Sequence, residues 1–225
     1  MMLHLIIADA ELETVPPEIA KHKVITWYAR KKGRKPTEII LNSSLHYQAM
    51  RKLPDYERRG RPDIVHFCLL TALDSPLNME GLLRVYVHTR QNKIITVDPT
   101  VNLPRMYNRF EGLMEQLFLT GRVPPEHPLL ILENGSLRSL LNEFRSEHKI
   151  VMTEKGRRKK ISEVFKDFEK SEDVCVIVGG FPHGDFLTNI ESLNAELVSI
   201  YEKPLTAPTV VSRVITAFEQ KMGIL

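Results

Sequence analysis

Three uninterrupted apolar runs in the C-terminal third, at 149–153 (KIVMT), 174–180 (VCVIVGG) and 197–201 (LVSIY), limit the folds open to this chain. Each is short, rich in β-branched side chains and free of polar alternation. Such runs are strands buried on both faces, the mark of a parallel sheet covered by helices. Residues 3–8 add a fourth apolar strand ending in an acidic turn. Residues 84–88 and 93–97 alternate about a Thr-Arg-Gln-Asn turn and predict a hairpin. A further strand is expected at 129–133.

Between them the spacing predicts helices. One follows Pro16-Pro17 and stops at Gly33, with Ile19, Val24, Trp27 and Tyr28 on one stripe. A short strand at 38–41 leads to a helix capped by Ser43 or Ser44. Pro62 opens another, with Ile64, Val65, Cys68, Leu69 and Ala72 as its apolar stripe. A long helix runs from Pro104 to Thr120, and others are expected after Gly135, over 160–170 and from about Pro208. The fold class is therefore α/β, a mostly parallel sheet with helices on both faces. One domain over 1–225 is expected, carrying a basic subregion at 17–62.

That subregion stands out electrostatically. Residues 21–61 hold twelve Lys and Arg against three acids, a balance of +9, although the 225-residue chain carries only +3. Such segregation implies a polyanion-binding face whose affinity falls with salt. Other classes are excluded. No apolar run reaches the roughly 20 residues of a membrane span, and the N-terminus reads as a strand, not a secretory leader. The eight histidines form no metal-type spacing, so no metal is expected. Cys68 and Cys175 read as buried thiols of a reducing cytosol. No GxSxG elbow marks a hydrolase.

Four segments carry chemistry. In VIVGGFPHGDF, Gly179 and Gly184 have the gap of a phosphate-binding loop, but Asp185-Phe186 replaces the Lys-Ser/Thr and would repel phosphate. SIYEKPLTA and MTEKG also follow buried strands, and loops at such strand ends converge where α/β sheets bind small ligands. In RRGRPDIVHF, Asp63 stands in a first helical turn, close enough to pair with Arg61. In PTVNLPRMYNRFEGLM, Arg105 and Arg109 are four apart, neighbours on one helix face with no acid at matching spacing. Met106, Phe110, Leu113 and Leu117 form the adjoining apolar stripe.

In this order, RRGRPDIVHFCLLTALDSPLN, DPTVNLPRMYNRFEGLMEQL, VIVGGFPHGDF and SIYEKPLTA resemble the small-subunit ribosomal RNA pseudouridine-N1 methyltransferases, the nucleolar essential protein family of ribosome biogenesis factors, in its archaeal form. The resemblance implies the SPOUT class of S-adenosylmethionine-dependent enzymes, with a C-terminal trefoil knot within 150–225 and a family-specific basic extension. It implies a cytoplasmic homodimer that binds small-subunit rRNA and leaves room for other ribosome assembly factors. The cofactor positions it carries over are Gly179, Gly184, Ile200, Tyr201, Glu202, Lys203, Pro204 and Leu205, with Thr153 as a third wall. Arg61 and Asp63 become the catalytic pair, Arg61 touching RNA. Asn102, Arg105 and Arg109 become rRNA contacts, Asn102 without the family's usual arginine charge. Two competing readings are a non-catalytic pre-rRNA-binding assembly factor and a related SPOUT enzyme acting on tRNA or a ribose 2′-hydroxyl.

Overall fold

The structure, a computed structural model, describes every residue except Arg145, Glu147 and Lys170. Its strands are β1 (Leu3–Ala10), β2 (Leu83–Thr89), β3 (Lys93–Val97), β4 (Arg122–Val123), β5 (Leu130–Asn134), β6 (His148–Arg158), β7 (Val174–Gly179) and β8 (Glu196–Ser199). The helices are α1 (Lys23–Lys32), α2 (Ser43–Met50), α3 (Pro62–Leu73), α4 (Pro76–Met79), α5 (Tyr107–Thr120), α6 (Leu137–Glu143) and α7 (Ala207–Met222). All eight strands join one sheet in the order β4-β5-β3-β2-β1-β7-β6-β8. From β2 to β8 every pair is parallel, and β3, β5 and β4 extend the other edge antiparallel.

Because side chains alternate across a strand, the sheet has two apolar faces. Leu5, Ile7, Val85 and Val176 pack against Val65 and Leu69 of α3, Phe110 of α5, and Val214 and Phe218 of α7. Ile6, Val151, Cys175 and Ile177 meet Leu137, Leu140 and Leu141 of α6 on the opposite face. Each fully buried aliphatic contributes about 1.5–3 kcal/mol, so a sheet covered on both sides supplies most of the core. The extension has a separate core built from Val15, Ile25, Ala29, Leu41, Met50 and their neighbours.

Four expectations need correction. The segment 38–41 is no strand: a 3-10 turn spans Pro36–Glu38, tied by Lys35 N–H to the Glu38 carboxylate, and one bridge, Thr14 with Ile40, follows. Of the stretch 160–170, whose last residue lies outside the described residues, the described part forms only a 3-10 turn at Ile161–Glu163. There β6 runs on to Arg158, Lys159 N–H bonds to the Ser199 carbonyl, and Phe165 sets its ring against Phe218, so packing overrides helical spacing. Asn42, not a serine, caps α2 by accepting from Ser44 N–H. Finally α1 starts at Lys23, where the His22 ring accepts from Val24 N–H, and Trp27 faces solvent.

His46 lies in the extension's core with its Nδ1 accepting from Asn42 N–H at 3.1 Å and its Nε2 unpartnered. Burial pushes its pKa down to about 4 from 6.5. The neutral ring is thus bound in the fold, while the unfolded chain takes up a proton below pH 6.5. Stability is complete above that value and declines as the pH falls toward 4. Denaturant titrations should show His46→Gln closing on the wild type by about 3 kcal/mol between pH 7 and 4. A constant difference across that range would refute the assignment.

Candidate active site

Past Met152 in β6, and beyond the ends of β7 and β8, the chain opens around one cleft of about 240 Å³. Val178, Val198, Ile200, Leu205 and Val210 give it apolar walls, Phe181 and Tyr201 aromatic edges, and Thr153 and Glu154 close its β6 side. Of the residues the sequence assigns to a cofactor, Gly179, Gly184, Ile200, Tyr201, Lys203, Pro204 and Leu205 line this cleft. Glu202 is exposed and does not. Gly184 has φ +83°, a left-handed conformation that turns the loop back over the cleft. Asp185 pairs with Lys155 at 2.7 Å, joining the loop after β7 to β6 at the surface. The hydrogen bond that Lys155 donates to this carboxylate raises the Lys155 pKa.

Arg61 and Asp63, the pair the sequence reading expects to be catalytic, sit at the start of α3. Arg61 precedes Pro62, the first helical residue, and its guanidinium grips Asp63 with both arms, Nε to Oδ1 at 2.9 Å and Nη2 to Oδ2 at 2.7 Å. That hydrogen bonding raises the Arg61 pKa against a smaller opposing effect of burial. Main-chain bonds carry Arg61 to the glycine loop: Arg61 N–H donates to the Glu11 carbonyl at 3.0 Å, and Glu11 N–H to that of Gly180 at 3.1 Å. Arg61 is therefore one residue removed from the loop that walls the cleft.

Sequence reading missed the ion pairs beneath this junction. Glu11 is wholly buried and its carboxylate accepts from Arg58 Nε at 2.6 Å and from Arg90 Nη1 at 2.9 Å. Arg58 also donates to the Asp185 carbonyl at 2.8 Å and lies 4.4 Å over the Phe181 ring. Glu13, equally buried, binds Arg59 through two hydrogen bonds and Gln91 through a third. Near the end of β1, Asp9 accepts from the N–H and hydroxyl of Thr188 at 2.8 Å. Burial opposes its charge, but these bonds and His88 prevail and hold its carboxyl below the ordinary 3.8. The alternation Asp9, Glu11, Glu13 was the available signal: three acids at every second position of a strand end need partners from elsewhere.

These pairs redraw the basic face. Arg58, Arg59 and Arg61 are paired internally, as is Lys32, which bridges Glu111 and Glu115 of α5. With Lys35, which pairs with Glu38, five of the twelve cations counted at 21–61 thus have carboxylate partners, all but Glu38 lying outside that stretch.

Asn102, Arg105 and Arg109 are all exposed along the approach to α5. Arg105 precedes the helix, which begins at Tyr107, so the two arginines do not share a helical face. Arg105 instead pairs with Asp74 at the end of α3, at 3.0 Å. The pair is solvent-exposed and worth little, so the guanidinium is open to exchange for phosphate. Phe110 and Leu117 are core as expected, whereas Met106 is exposed.

Comparison with known proteins places this geometry. Residues 5–219 match the family described as EMG1/NEP1 methyltransferase. The chain is 49% identical over 223 residues to the ribosomal RNA small subunit methyltransferase Nep1 of Thermococcus kodakarensis, covering 99% of this chain and 100% of that one. To the protein of the same name from Pyrococcus furiosus it is 50% identical over 220 residues, 96% of each chain. The crystal structure of Archaeoglobus fulgidus Nep1 bound to S-adenosylhomocysteine superposes with a TM-score of 0.88 at 37% identity, covering 99% of this chain and 100% of the other.

Arg58→Met removes a buried partner of Glu11 and two ties to the glycine loop. It should cost about 3 kcal/mol in chemical denaturation, whereas Lys155→Ala, which breaks an exposed pair, should leave the midpoint unmoved. Equal losses would mean that Arg58 anchors nothing.

Proposed function

The chain belongs to the EMG1/NEP1 methyltransferase family, and on that premise we propose that it transfers a methyl group from S-adenosylmethionine to N1 of a pseudouridine in small-subunit rRNA. The observation that carries this reading is the junction at Glu11, which sets a clamped arginine beside the apolar cleft. The cleft suits the donor: apolar walls for an adenosyl group, open main chain at the turns, and Gly184 in a conformation that holds a loop over it. When bound, the donor supplies an already activated sulfonium methyl.

Pseudouridine joins its ribose through carbon, which leaves N1 as an N–H open to alkylation. The target base is turned out of its stack and enters between the cleft and Arg61. The Arg61 guanidinium stabilises negative charge that develops as the N1 proton leaves. Both Asp63 oxygens are taken up by Arg61, so Asp63 orients that charge and does not act as general base. Asn102, Arg105 and Arg109 hold flanking RNA, Asn102 by hydrogen bonding alone. Residues 150–225 form the donor-binding part and 17–62 the RNA-binding part of one domain. The trefoil knot is supported by residues 153–158, which double over β8 so that Val198 pairs with both Met152 and Arg157. There a Cβ on Gly156 would meet Val198 N, so the strands pass with room for glycine alone.

The exposed side chains of Phe67, Met79 and Met106 support a homodimer. The buried thiols of Cys68 and Cys175, pushed up to about 12 by burial, support a cytoplasmic setting. Among the described residues no helix is long and apolar enough to cross a membrane.

A short rRNA hairpin carrying pseudouridine at the target should be methylated, and the same hairpin with uridine should be inert. Equal methylation would overturn the substrate chemistry, and RNA binding without calorimetric binding of S-adenosylmethionine would favour an assembly factor. Folded Arg61→Ala should lose about 100-fold in rate and, like Arg105→Ala, bind RNA more weakly with donor affinity unchanged.

A further inference from the structure

Helix α1 buries Ile25 and Ala29 in the extension's core, and this leaves Trp27 on the outer face, 56% exposed. An indole is among the largest apolar surfaces a side chain offers and is ordinarily covered. Here it is held open. Tyr28 meets it edge-on at 4.7 Å between centroids, and Lys31 Nζ lies 5.4 Å from its centroid.

Its surroundings are cationic. Lys23 and Lys31 stand one turn before and one turn after Trp27, with Arg30 at i+3, so all three flank the ring on one helix face. All are exposed. No acid occurs from Ile19 to Thr37, and among the described residues none of these three cations has a carboxylate within ion-pairing distance. Among the described residues the extension's cations without a carboxylate partner are Lys21, Lys23, Arg30, Lys31, Arg34, Arg51 and Lys52, and five of these seven lie on or beside α1, because Lys32, Lys35, Arg58, Arg59 and Arg61 are paired.

We propose that Trp27 is a stacking platform for an unpaired base of the substrate RNA, with Lys23, Arg30 and Lys31 holding the phosphates on either side. The proposal deepens the rRNA-methyltransferase reading and rests on it. Unpaired RNA is read by stacking bases on aromatic side chains within a cationic surface, and both elements stand on one helix face. A second copy of the chain suits the face poorly, since a two-fold contact would set three cations against the same three.

Trp27 is the chain's one tryptophan, so tryptophan emission reports on this ring alone. The full-length protein is titrated with the pseudouridine hairpin bearing single-stranded flanks and with a blunt-ended version. The flanked RNA should quench the emission and the blunt one should not. Trp27→Ala should weaken binding of the flanked RNA about 5- to 100-fold, Trp27→Phe should restore most of it, and calorimetric binding of S-adenosylhomocysteine should match the wild type in both. Unchanged emission with RNA that is bound and methylated overturns the platform and leaves the function standing. So does equal quenching by the blunt hairpin. A dimer that dissociates in Trp27→Ala, read by sedimentation, gives the ring to a second copy and overturns it as well. Wild-type protein that neither binds nor methylates the RNA overturns both readings.

Discussion

A carboxylate with no access to water governs how the two halves of the site meet. Glu11 sits where β1 ends, and every polar group it owns faces a different part of the molecule. Its N–H reaches the glycine loop, its carbonyl accepts from Arg61, and its side chain holds Arg58 and Arg90. A charge in that position is tolerable only when paired and hydrogen-bonded. The need to satisfy it fixes the segment 58–61 against the sheet end, and with it the start of α3. Buried ion pairs contribute little net stability, but a wrong arrangement leaves a bare charge, so they choose one docking of the extension over its alternatives.

What could be read from the chain in advance follows from how local the determining physics is. The parallel strands were legible because burial on both faces removes polar residues from the run itself, and their loops were then bound to gather at one edge. The cap at Gly121 was legible because a left-handed residue ends the helix on the spot. The stretch 160–170 was not, because Phe165 answers to Phe218 in a helix some fifty residues away. Trp27 misled for the same reason. Its spacing fitted an apolar stripe, but the extension's core is small and filled from Ile25 and Ala29.

Charge was the feature most distorted by reading along the sequence. A count over 21–61 treats its cations alike, yet Arg59 meets Glu13, Lys32 meets Glu111 and Glu115, and Arg105, outside the count, meets Asp74. The partners of the buried arginines, Glu11 and Glu13, lie just beyond β1, brought in by topology. Segregation along the chain was real, but its meaning was divided: part of it builds the fold, and only the remainder is left free for a polyanion.

That division matters for catalysis. A free arginine attracts phosphate from any direction and must be ordered by whatever it binds, a cost that falls on each encounter. Arg61 has already been ordered, by two bonds to Asp63 and by its main-chain tie to Glu11. It draws RNA less strongly for being half-neutralised, but its remaining N–H groups point in a fixed direction, and preorganised donors stabilise developing charge most because nothing need move as the reaction proceeds. Cations without a carboxylate partner among the described residues, such as Lys23, Arg30, Lys31 and Arg109, stand exposed to water, where Coulomb attraction is screened by salt. On the proposed reading, attraction and catalysis fall to different charges: salt should weaken the approach of the RNA and leave the geometry around Arg61 intact.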